Sequence, residues 1–112
     1  MRFDGRFVSH LQIIEMKKPE LFKNEISRYL GDADISKIHL YWKGRVALYS
    51  ILKAAGIGKG DEVIVPAYTC VVVPNAVLYT GATPVYVDID PHTFNASKRN
   101  IENAITANTK AI

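Results

Sequence analysis

Residues 56–66 read Gly56-Ile57-Gly58-Lys59-Gly60-Asp61-Glu62-Val63-Ile64-Val65-Pro66, and the reading of this stretch decides the fold. Its alternate glycines have the spacing of a dinucleotide-binding loop. That motif requires a strand before the glycines and a helix after them. Here the order is reversed. Upstream, Leu48, Ile51, Leu52 and Ala55 fall at i, i+3, i+4 and i+7, one face of a helix opened by Gly44. Downstream, Glu62 to Val65 is a short β-branched run closed by a proline, which reads as a buried strand. The glycine run is therefore a helix-to-strand turn, with Gly56 standing where a helix C-terminus wants a positive φ.

The same alternation continues outward. Val72 to Tyr79 is helix-like and ends at Gly81, which requires Pro74 to lie in the first turn. Thr83 to Ile89 contains a strand at Pro84-Val85-Tyr86-Val87. Ser97 has the chemistry of an N-cap, and Ile101, Ala104 and Ile105 give the next helix an apolar stripe. Thr109-Lys110-Ala111-Ile112 opens another apolar run. Before Gly44, Lys37 to Tyr41 alternates as a strand would. The resulting order, β-α-β-α-β-α-β, gives an α/β fold class with a mainly parallel sheet and helices on both faces. Residues 1–36 stand apart as an N-terminal arm and helix, the helix spanning Glu20 to Leu30 with Leu21, Phe22, Ile26, Tyr29 and Leu30 on its apolar side and Gly31 at its end. Residues 37–112 form the second unit. Because the chain stops inside an apolar run, its sheet is expected to be unfinished and the sequence truncated.

Composition narrows the function. The net charge is +3, and its basic residues are scattered, with Lys17-Lys18 and Lys98-Arg99 their only adjacent pairs. A nucleic-acid binder clusters such residues on one face. No apolar stretch has the length of a membrane-spanning helix. Met1 to Arg6 lacks the apolar core of a secretory signal. One cysteine, Cys70, allows no internal disulfide and fits a reducing compartment. These features lead to the expectation of a cytoplasmic protein that binds neither nucleic acid nor membrane.

Tyr41-Trp42-Lys43-Gly44-Arg45-Val46-Ala47-Leu48 carries the strongest chemical signal. A strand end, a glycine and a helix start follow one another. Free amides at a helix N-terminus, backed by the helix dipole, bind phosphate, and a glycine lets the anion approach. Lys43 and Arg45 add positive charge. Taken alone, the window also fits an ordinary strand-to-helix turn. Cys70, near the start of the next helix, fits either an activated thiol or, lacking a histidine partner, a small buried residue. His10, His39 and His92 have no metal-ligand spacing, and His39 reads as a packed strand residue. Asp88 and Asp90 should point the same way from a strand end, yet Asp-Ile-Asp-Pro-His reads more simply as a solvated turn with Asx capping.

Read together, the segments from 44–69, 75–90 and 94–112 resemble the DegT/DnrJ/StrS sugar aminotransferases, with Glu25 to Gly31 similar to the helix before that family's first sheet strand. The resemblance covers about residues 20–112. It implies the N-terminal part of the large domain of a fold type I aminotransferase, with pyridoxal 5′-phosphate (PLP) as cofactor and a homodimer as the assembly. It also implies an amino donor such as glutamate and a keto sugar linked to a nucleotide as substrates. In that family the turn matching Gly44, Arg45 and Val46 binds the cofactor phosphate, largely through the backbone amides at the positions of Arg45 and Val46, and the residue matching Cys70 lies beside the cofactor ring.

Two positions depart from the pattern. Many relatives have Ser-Gly where this chain has Lys43-Gly44, and an aromatic residue where it has Cys70. The family's catalytic lysine and its pyridine-pairing aspartate match no position in these 112 residues. No catalytic residue is therefore assigned, and these residues alone are expected to be inactive as a transaminase. Two other readings use the same scaffold: a PLP-dependent sugar dehydratase, with histidine in place of the lysine, and a non-enzymatic remnant.

Overall fold

The computed structural model describes residues 19–112. The expectations for the preceding arm, including His10 and Lys17-Lys18, lie outside the described residues. The chain divides into two compact units, Met1–Leu40 and Tyr41–Ile112.

In the first unit, helix α1 is described over residues 19–29 and stops at Gly31, whose φ of +77° is left-handed. The buried Ser27 hydroxyl donates to the Ala33 carbonyl at 2.6 Å, folding the chain back onto the helix end. A 3₁₀ turn follows at Ile35–Lys37, capped by Asp34. The Ser36 hydroxyl and then its amide donate to the Asp34 carboxylate, holding that carboxyl below its ordinary range.

The strand expected at Lys37–Tyr41 does not form. Lys37 belongs to the 3₁₀ turn, the Ile38 amide donates back to Ile35 at 3.0 Å, and residues 38–41 have no regular structure. Alternation supplies the side chains of a strand, but a strand exists only when its backbone is paired. No described residue pairs with this segment. His39, expected in the core, is exposed for the same reason.

The second unit alternates helix and strand. Helix α2 spans Gly44–Ala54, β1 Glu62–Pro66, α3 Val72–Thr80, β2 Thr83–Val87, α4 Lys98–Ala104 and β3 Thr109–Ala111. The three strands are parallel, in the order β2-β1-β3. Register pairs Val63 with Pro84, Ile64 with Val85 and Val65 with Tyr86. The β1-to-β2 crossover steps one way across the sheet, and the β2-to-β3 crossover steps back past β1. Right-handed crossovers in opposite directions place α3 and α4 on opposite faces. Burial agrees with this. Val63 and Val65 point to one face and join Leu52, Ile57, Val77 and Ala82 in the core, while Ile64 points the other way and is also buried.

Local chemistry fixes the turns between these elements. Helix α2 ends in a Schellman arrangement: Ile57 donates to Leu52 at 3.0 Å and Gly56 to Lys53 at 3.0 Å, with Gly56 at φ +77°. Ile57 and Leu52, the apolar pair of that motif, are both buried. The Asp61 carboxylate then accepts from the Gly58 amide at 2.9 Å, closing the turn into β1. The glycine run is thus a helix-to-strand connection, as its context in the sequence indicated. Helix α3 carries Pro74 in its first turn and ends at Gly81, φ +92°. Ser97 caps α4 by accepting from the Asn100 amide at 3.1 Å. The apolar stripe of α2 is only partly used, since Leu52 is buried and Leu48 packs on the core while Ile51 stays 64% exposed.

Candidate functional site

The topology brings two helix starts to one edge of the sheet. Helix α2 enters β1 through a short turn at its C-terminal end, so its N-terminus lies toward the carboxyl end of β1. Helix α3 begins just after that carboxyl end. In open α/β sheets, the carboxyl edge is where ligands bind.

A cavity of about 400 Å³ opens there, lined by Lys43, Gly44, Arg45, Leu48, Val72 and Val73. Lys43 is the N-cap residue of α2, extended at φ −147° and ψ 142°, and its side chain makes no capping bond. Its carbonyl accepts from the Val46 amide at 3.0 Å and from the Ala47 amide at 3.2 Å. Among the described residues no carbonyl accepts from the Gly44 or Arg45 amides. Unsatisfied amides of this kind carry the positive end of the helix dipole. Among the described residues the Lys43 and Arg45 side chains bring the only formal charges on the lining, both positive. A Cβ placed on Gly44 would meet nothing within 4 Å, so the backbone is openly approachable at that point. Leu48, Val72 and Val73 supply an apolar wall.

Of the residues singled out in the sequence, Gly44 and Arg45 line this cavity. Val46 sits in the same first turn but is not among the lining residues, and its amide, expected from the resemblance to face the phosphate, instead donates to the Lys43 carbonyl at 3.0 Å because it closes the first turn of α2. Cys70 precedes α3 and is not on the lining; its carbonyl accepts from Val73 at 2.9 Å. The thiol is exposed, which corrects its reading as a small buried residue. That reading assumed the strand-to-helix loop would be covered, whereas residues 67–71 all lie open. Asp90 caps a turn instead of pairing with Asp88. Its carboxylate accepts from the His92 amide at 2.8 Å and from the Thr93 amide at 3.0 Å. Among the described residues there is no group of His, Cys, Asp and Glu that could hold a metal ion.

Three features escaped the sequence reading. Leu48 was assigned to the core and Val72 to a helix start, and only the meeting of α2 with α3 makes them walls of one cavity. The Lys43 ammonium lies 4.3 Å from the centre of the Trp42 ring, an adjacency visible in the sequence but not its geometry. The rings of Tyr68 and Phe94, 6.4 Å apart, meet because β1 and β2 are neighbours.

Comparison with known proteins bears on the family and the fold. Residues 7–112 match the model of the DegT/DnrJ/EryC1/StrS aminotransferase family. The chain belongs to that family. It is 55% identical over 69 residues to GDP-perosamine synthase of Caulobacter vibrioides, a match covering 62% of this chain and 19% of the relative. It is 38% identical over 95 residues to the spore coat polysaccharide biosynthesis protein SpsC of Bacillus subtilis, covering 85% of this chain and 24% of that one. Among solved structures, NtdA of Bacillus subtilis with bound cofactor PMP superposes with a TM-score of 0.69 at 40% identity, over 81% of this chain and 20% of NtdA. The chain thus spans about a fifth to a quarter of the length of these family members. The fold and the family expected from the sequence are both borne out.

Proposed function

We propose that this chain supplies the phosphate-binding part of a PLP-dependent aminotransferase acting on nucleotide-linked keto sugars, with an amino donor such as glutamate and a homodimer as the working assembly. The observation that carries the reading is the first turn of α2, where no carbonyl among the described residues accepts from the Gly44 or Arg45 amides and Lys43 and Arg45 carry positive charge. Cofactor-bound relatives and relatives named as sugar aminotransferases support it.

The residues present fit the phosphate of such a cofactor. Gly44 and Arg45 would donate their amides to it, and Arg45 and Lys43 would balance its charge. When bound, PLP acts as the electron sink for the chemistry at the amino group. The apolar wall of Leu48, Val72 and Val73 keeps water from one side of the anion, which strengthens each of these contacts. Val46 contributes by shaping the first turn, its amide being held by Lys43. Cys70 sits beside the ring position through sequence alone, and sulfur–aromatic contact is the interaction open to it.

Proton transfer is a different matter. Among the described residues Lys43 is the only lysine on the cavity lining, and its ammonium rests on Trp42. No residue here is placed as the base, so the 112 residues alone are expected to bind the phosphate without turning over substrate. Equilibrium dialysis with PLP and with phosphate-free pyridoxal tests the reading. Preferential retention of PLP, with no amino transfer from glutamate, is the expected result. Equal retention of both compounds would overturn the phosphate site, and measurable amino transfer would overturn the statement that these residues lack the base.

A further inference from the structure

We draw no further inference here: the strongest candidate, the exposed Tyr68–Phe94 ring pair beyond the carboxyl ends of β1 and β2, with Phe94 held at φ +58°, is a solvent-facing aromatic patch, and nothing among the described residues shows what covers it.

Discussion

Two glycines in this chain do different work, and the difference can be measured. Gly44 opens α2 at ordinary φ, and a Cβ there meets nothing within 4 Å. Gly81 ends α3 at φ +92°, where an added Cβ would also come within 3.4 Å of the Lys59 amide nitrogen. Gly44→Ala should therefore leave the thermal midpoint unchanged or raise stability by about 0.5 kcal/mol, by narrowing the unfolded ensemble. At the same time it should weaken phosphate binding by crowding the free amides. Gly81→Ala should cost about 1–2 kcal/mol, because an L residue is forced into the left-handed region. Thermal melts of both variants, paired with PLP dialysis, check the contrast. A Gly44→Ala variant that melts as low as Gly81→Ala would show that Gly44 is a structural glycine and not an opening for the anion. At this scale the sequence was legible where chemistry is local. Gly56, Gly81, Ser97 and the Asx turn at Asp90 each act through neighbours a few residues away, and each forms as read. Cys70 and His39 were misjudged because exposure depends on what covers a residue from far along the chain.

Elements follow the same division. The helices and the strands β1, β2 and β3 were readable because their periodicity matches the faces they bury. The strand expected at Lys37–Tyr41 was not, since pairing partners do not show in a local pattern. The candidate site was half legible: Gly44 and Arg45 came from one contiguous turn, whereas the wall of Val72 and Val73 required knowing that α3 starts beside α2. The seam between α3 and β1 carries this geometry. Val77, 1% exposed, packs there with Val63, Val65 and Leu52. Truncation of a fully buried side chain loses its transfer energy and leaves a cavity, so Val77→Ala should destabilise the second unit by about 2 kcal/mol. It should also loosen the start of α3 against α2 and weaken PLP retention by a smaller factor than Gly44→Ala. Chemical denaturation read alongside dialysis tests this order. A Val77→Ala variant with unchanged stability would mean the seam is not tightly packed.

At the scale of the molecule, the sheet is the feature with the largest consequence. Its order is β2-β1-β3, so both outer strands pair on one side only among the described residues. Parallel sheets are ordinarily buried on both faces and at their edges, because an unpaired edge presents a row of free amides and carbonyls to any other strand. Strand β2 has no charged residue to discourage such pairing, and it carries Tyr86, 55% exposed, along its length. Ile112, 69% exposed, follows β3. The 112-residue protein should accordingly self-associate as its concentration rises, through edges and not through the phosphate site. Tyr86→Lys places a charge on the β2 edge strand, a device natural edge strands use to stay unpaired. Sedimentation velocity over a concentration series should show the wild type shifting to larger species and Tyr86→Lys shifting less, with PLP retention equal in the two. A wild type that stays monomeric throughout the series would mean that the edges are protected by something other than pairing. Association that Tyr86→Lys leaves untouched would move the contact from β2 to the β3 side of the sheet.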